Sequence, residues 1–507
     1  MKKKIDAFWI IAYGYILLPF LIFAIGWMKW YISFPMVAIL CICFYKACQE
    51  SPKLWRPEWN RDNIIKFLFM IGIIAIWVYY SGIGKFVFQA ADHSVRNSVF
   101  NIMVEYQWPV INYEILPESP LGRQGVSAAG LIYYIGFWLP SALVGKVLGI
   151  RAGYYAQAVW AVLGIALVYY LICVLMKRVA VWPLFVFIFF SGLDVLGIFL
   201  TAQDPATFEA MWHLEWWGTP YEYSSMTTQL FWVFNQSIPA WVCTMLAYIQ
   251  KNNRNLVFIL ACSMLSSTFP FVGLLLLVLF FCFTRQYEDM GAVETAGIRE
   301  KGKKYMSCLI KDTCTIQNVI GGGLVGIMTF LYLSGNYSGA YIMGENTRGP
   351  SFDNSLAKLV IFLILEIGIY AALIYKYNKE NKIFYFILVC LCVFPPIKVG
   401  YSVDFCMRAS IPALLILMLL VMKTLADSWE KKDYRVFVGL LLVLVLGGIT
   451  PTFEFKRTIS ETFRRINEGE IVYESDSDPI KIMSGGNFSG SAEDGLFFKY
   501  FVKSSED

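Results

Sequence analysis

An all-α protein that crosses a membrane many times is the fold class this sequence predicts, and three observations carry the prediction. Hydrophobic residues make up 58% of the 507 and charged residues only 16%, where a soluble domain is about a quarter charged. Many windows, 7–27 and 436–452 among them, hold the roughly 20 apolar residues that a helix needs to span a bilayer. The apolar/polar alternation of an outer-membrane barrel is absent.

The first segment, MKKKIDAFWIIAYGYILLPFLIFAIGW, has the basic start and apolar core of a signal peptide. Its apolar run is too long and no small-residue cleavage site follows, so a retained first helix is expected. The net charge of +5 comes mostly from loop lysines. That balance fits contact with anionic membrane lipid and gives no reason to expect nucleic acid. Most of the 12 cysteines sit in apolar runs (Cys41, Cys43, Cys173, Cys243, Cys262, Cys390, Cys392), without CxxC or Cys/His spacing. They read as small hydrophobes.

Lysine and arginine should collect in cytoplasmic loops. Placing the clusters at 2–4, 46–61, 177–178, 251–254, 299–304, 376–382 and 431–435 inside is consistent with about 13 spans. These run near 7–27, 30–46, 64–84, 153–176, 180–200, 227–250, 255–269, 270–285, 316–334, 357–376, 384–400, 409–425 and 436–452. The apolar run 127–149 then lies at the outer surface without crossing, and 255–284 turns back near Pro270 as two short helices. Counting 127–149 as a span would instead flip everything after it. The resulting organisation has N-terminal spans in 1–84 and an outer loop with juxtamembrane helices in 85–152. A transmembrane core fills 153–452, with outer loop 201–226 and cytoplasmic loop 286–315, and a small polar tail, 453–507, reads as an appendage. The whole is expected in the plasma membrane.

The candidate chemistry lies in the outer loops. In ADHSVRNSVFNIMVEYQWPV, Asp92, His93 and Arg96 fall within five positions, and Asp92 opens a helix. A carboxylate there serves as a general base, or simply as a helix cap. The second loop contains Asp204, His213 and Glu215 among Trp212, Trp216, Trp217 and Tyr221. Aromatic faces beside carboxylates suit a sugar ring, and an interfacial aromatic belt predicts the same residues. Asp92, Asp204 and Glu215 form the set that could hold a divalent cation, Mg2+ or Mn2+; two histidines in separate loops make a weak metal signal, and no other cofactor is called for. Asp194, inside the apolar stretch FFSGLDVLGIF, is a functional candidate of second rank because a carboxylate within a span is costly. Asp404 shares that rank. Lys398 and Arg408, in FPPIKVGYSVDFCMRASIP, lie where a guanidinium suits a lipid-linked phosphate or snorkels to headgroups.

The stretch FQAADHSVRNSVFNIMVEYQWPV, followed by LIYYIGFWLPSALVGKVLGIRAGYYAQAVWAVLGIALVYYLICVLMKR, resembles the bacterial GT-C superfamily of integral-membrane glycosyltransferases. Members place a catalytic acid near the start of a long first outer loop, then a tyrosine-rich approach helix and a span closing in Lys-Arg. The resemblance implies transfer of a sugar from a polyprenyl-phosphate-linked donor to a glycan, lipid or protein acceptor at the outer face. Asp92 would be the base, supported by His93 and Arg96. Arg408, with Lys398, would bind the donor phosphate, and Asp204 or Glu215 would be a second acid. Two other readings stay open: a cell-surface polysaccharide polymerase or ligase, and a transporter or flippase of a lipid-linked glycan.

Overall fold

The computed structural model describes residues 5–201, 213–285, 298–337, 355–399 and 404–503. Among them, ten helices are long and apolar enough to cross a membrane, and three apolar helices are shorter: Gly136–Leu148, Thr268–Thr284 and Lys382–Val393. The chain is therefore an all-α polytopic protein whose apolar helices suit a membrane. The expected runs 255–269, 270–285 and 384–400 are the ones that come out short. Leu265–Ser267 breaks the first from the second, giving helices Leu256–Met264 and Thr268–Thr284. Lys382–Val393 ends just ahead of Pro395-Pro396, where ring and missing N–H stop a helix.

Local chemistry sets the helix starts. The Asp6 carboxylate accepts from Phe8 N at 3.1 Å, Asn60 Oδ1 from Asn63 N at 2.9 Å, and Ser225 Oγ from Thr228 N at 3.0 Å. Each side chain satisfies a donor that the first turn leaves free. Burial then sorts the spans. Met226–Ile249 and Ile411–Glu430 have 94% and 89% of their apolar windows inside the protein, against 22% for Arg61–Tyr80. The first two are the centre of the bundle. Arg61–Tyr80 turns Leu68 and Phe69 outward, as a lipid-facing helix would.

The run 127–149 is not one helix. It comprises a strand at Ala129–Leu131, a 3-10 turn at Gly136–Trp138 and a helix at Leu139–Leu148. Ten residues of helix rise about 15 Å, half a bilayer core. Lys146 reaches back to the carbonyls of Val104 and Tyr106 and lies over the Trp108 ring.

The C-terminal segment corrects the sequence reading most. There is no break at 453: helix Ile449–Glu468 runs straight through, burying Glu454, Arg457 and Thr458. The polar chain beyond it is no separate appendage. Strands β1 (Ile111–Asn112), β2 (Ala129–Leu131) and β3 (Ser489–Ser491) form one antiparallel sheet, with Gly130 opposite both Ile111 and Gly490. Ser98 Oγ donates to the Ser477 carbonyl at 2.9 Å. A Cβ on Gly130 would stand 2.3 Å from the Phe498 ring, so only glycine allows that approach. Phe497 is 1% exposed and packs against Phe23 and Tyr332. Sparse apolar residues anchor this segment, which is why its average composition looked solvent-exposed. Phe497→Ala should lower the melting temperature in detergent, its cavity costing about 3–5 kcal/mol. Tyr500→Ala, at a 56% exposed site, should change it little; equal effects would mean that the segment is not anchored through Phe497.

Candidate functional site

Asp92 directly precedes helix His93–Glu105, yet its carboxylate caps nothing. It accepts instead from Arg96 Nη2 at 2.8 Å, one turn along; the Asp92 side chain is 50% exposed and that of Arg96 8%. Helix Asp404–Ala409 repeats the device, with Arg408 Nη2 3.1 Å from Asp404 Oδ1. The two pairs are neighbours, since the charges of both Arg96 and Arg408 act on both aspartates. Tyr133 and Tyr134 also feel Arg408. Arg96 Nη1 and Arg408 Nε are buried and donate to nothing among the described residues.

This environment pushes the two acids apart. Burial works to raise the Asp92 carboxyl, but the charges of Arg96 and Arg408 and the Arg96 hydrogen bond outweigh it and hold it below the usual range. Burial raises Asp404 against the pull of Arg408, and Asp92 and Glu222 push the same way. Of the two, Asp92 gives up its proton more readily.

His93 does not join the pair. Its Nε2 donates to the Phe231 carbonyl at 2.8 Å, which leaves Nδ1 to accept from Gln89 Nε2 at 3.2 Å. Both ring nitrogens are used away from Asp92, so His93 makes no hydrogen bond to it. Lys398 is exposed and makes no hydrogen bond or ion pair with the described residues.

A second charged zone lies deeper. His213 is 3% exposed, with Glu215 at 1% and Glu222 at 2%. Its Nε2 faces Glu222 Oε1 at 3.5 Å and Glu215 Oε2 at 3.8 Å, while Nδ1 faces Glu454 Oε1 at 3.5 Å. Burial opposes charge on this imidazole, but the carboxylates of Glu222, Glu454 and Glu215 prevail and raise it to about 10. Glu454 also accepts from Arg457, and from Trp232 Nε1 at 3.0 Å. Below them Asp194 accepts from Ser191, Trp217 Nε1 and Thr450, at 3.1, 3.0 and 2.7 Å, and Glu366 lies against it. The zones meet at Glu222, whose charge Asp404 senses and whose carbonyl accepts from Cys406 Sγ at 3.3 Å.

No protein-family model, curated protein or solved structure matches the chain. The site therefore rests on its own geometry.

The aromatic residues expected to stack on sugar divide. Asp204 and Trp212 lie outside the described residues. Trp216 is partly buried with its ring edge-on to His213. Trp217 is fully buried, packed over Gly197, where a Cβ would stand 2.3 Å from the indole, and Tyr221 packs on Phe362. Neither Trp217 nor Tyr221 offers an open face, so both are core residues. The expected cation set is also regrouped: Glu215 gathers with His213 and Glu222, and Asp92 is not part of that cluster. Glu366 and Glu454 were missed. Glu366 interrupts the apolar stretch LVIFLILEIGIY as Asp194 interrupts its own, and that signal was available. A cavity of about 730 Å³, lined by Trp182, Phe189, Leu425, Trp429 and Leu444 with Arg178 at its rim, contains none of the candidate residues. Its lining is almost entirely apolar.

Burial lowers His93 from 6.5 to about 3, with the Arg96 charge adding to it, so the ring is neutral when folded. The unfolded chain protonates first as pH falls. The stabilisation is complete above about 6.5 and is lost progressively as pH drops towards 3. Between pH 7 and 5 this amounts to about 2 kcal/mol. His93→Gln should flatten the fall in melting temperature over that interval; an unchanged slope would assign the acid sensitivity elsewhere.

Proposed function

We propose that the protein is a membrane glycosyltransferase of GT-C type, moving a sugar from a polyprenyl-phosphate-linked donor to a cell-envelope acceptor. The observation that carries this reading is the half-exposed, ionised Asp92 flanked by two buried guanidinium groups that each keep a donor unused among the described residues. Arg96 and Arg408 meet a phosphate with charge-assisted hydrogen bonds, and a planar fork donates to two oxygens at once. Asp92 beside them takes the proton of the acceptor hydroxyl as its oxygen attacks the anomeric carbon. The sugar–phosphate bond breaks, and charge growing on the departing polyprenyl phosphate is neutralised by the guanidiniums. The resemblance of the 85–178 region to GT-C enzymes supports the same assignment, with the active site at the outer face of the plasma membrane.

One observation favours a second reading. Asp194 and Glu366 lie inside apolar helices beside His213, Glu215 and Glu222, and intramembrane ionisable groups commonly mark a transport path. A flippase or transporter of a lipid-linked glycan would use them. The two readings separate in proteoliposomes supplied with polyprenyl-phosphate-linked hexose. Under the transferase reading, Asp92→Asn lowers release of polyprenyl phosphate at least about 100-fold while the protein still reaches the membrane folded. Arg408→Lys should lower it as well, because an ammonium cannot reproduce the fork. Full turnover by Asp92→Asn sinks the transferase reading; donor movement across the bilayer that Glu366→Gln alone abolishes establishes the other.

A further inference from the structure

The spacing around His213 is not that of a hydrogen-bonded ion pair. Its Nε2 stands 3.5 and 3.8 Å from the nearest oxygens of Glu222 and Glu215, beyond the roughly 3.2 Å limit of a good N–H···O bond. One ligand atom from each of the three residues falls within 4.8 Å of the others. Two ligands held about 2.0–2.1 Å from a tetrahedral metal stand about 3.4 Å apart, close to the shorter of these separations.

The individual atoms agree. Glu215 Oε1 is already held by the Ser225 N–H at 2.8 Å and the Thr228 hydroxyl at 2.6 Å. Its other oxygen, Oε2, is buried without a hydrogen-bond partner among the described residues, and it is the one turned towards His213 Nε2. Ser224 Oγ steadies Glu222 at 3.0 Å. On the far side of the ring Nδ1 faces Glu454, itself fixed by Trp232 and Arg457. A carboxylate behind the imidazole is the usual support of a metal-ligating histidine, because it sets the tautomer and raises ligand basicity.

We propose that His213, Glu215 and Glu222 form a divalent transition-metal site, taking Zn2+ or Mn2+ and leaving a further coordination position for a water or substrate oxygen. An imidazole nitrogen among carboxylates favours these ions over Mg2+ and Ca2+, which prefer oxygen alone. The site stands independently of the transferase reading, since Asp92 is not one of its ligands.

Metal content of the full-length protein in detergent tests it, after chelation and dialysis against Zn2+ or Mn2+ in separate arms. Wild type and Asp92→Asn should each keep about one equivalent per chain in at least one arm. Glu222→Gln and His213→Gln should bind at least about ten-fold more weakly. The metal should raise the melting temperature of wild type and not of Glu222→Gln; Glu215→Gln serves if that variant does not fold. A wild type that stays metal-free in both arms, its imidazole then simply protonated among the acids, overturns the proposal. So does retention by Glu222→Gln equal to wild type, or loss in Asp92→Asn alone.

Discussion

A charge inside an apolar bundle has to be answered by another charge or by several donors, and Glu454 is where this chain meets that demand most fully. Its carboxylate takes hydrogen bonds from Arg457 and Trp232 and faces His213. Desolvating an ion costs several kcal/mol, and removing one partner of a buried pair costs about as much again. The residues meeting there belong to helix Ile449–Glu468, helix Met226–Ile249 and the chain just ahead of it that begins at His213. Those three elements are consequently locked together. Thr450, one turn earlier on the same helix, reaches Asp194. The chain leaving the far end of that helix is thereby delivered to the edge of β2, where β3 adds.

The lock leaves two zones of opposite bias. Near the half-exposed Asp92, two guanidiniums have donors unused among the described residues, which suits an anion. Around His213 carboxylates outnumber cationic groups, which suits a cation. Glu222 lies between the zones, so charge entering one alters the other. In the proposed reaction a phosphate would arrive at the first zone, while a cation at the second would withdraw negative potential from the approach past Asp404.

The spans were legible because about 20 consecutive apolar residues leave little alternative, and the ends of Ala7–Trp27 and Ile150–Met176 fall close to where hydropathy puts them. The short helices were not, because average hydropathy hides a Ser-rich break at 265–267 and a double proline at 395–396. Asp92 and Arg408 each stood out as charges at the margin of an apolar run. No pattern in one sequence says that residues over three hundred positions apart will share a field; tertiary packing decides that. Trp217 and Tyr221 misled for a related reason, since an indole meant for a sugar, a bilayer interface or a core has the same local signature. The C-terminal segment misled through its average: Phe497 and Phe498 do the anchoring, and the surrounding Ser, Gly and Asp dilute them.

The charges of the same two guanidiniums act on two aspartates, and in the proposed transferase their differences would favour Asp92 as the base. Asp92 is the more exposed, at 50% against 30% for Asp404, so the proposed acceptor hydroxyl would reach it more readily. It is held ionised, whereas Asp404 is driven the other way by burial and by the charges of Asp92 and Glu222. A proton taken up at Asp92 would weaken that push on Asp404 and lower the negative charge opposing the departing phosphate. Neighbouring carboxyls whose environments drive them apart can divide acid and base duties, and the proposed reaction would use Asp92 for the base. The repeated Asp-x-x-x-Arg turn thus supplies unequal partners from equal sequence: the same spacing occurs twice, and the difference lies in what packs around each copy.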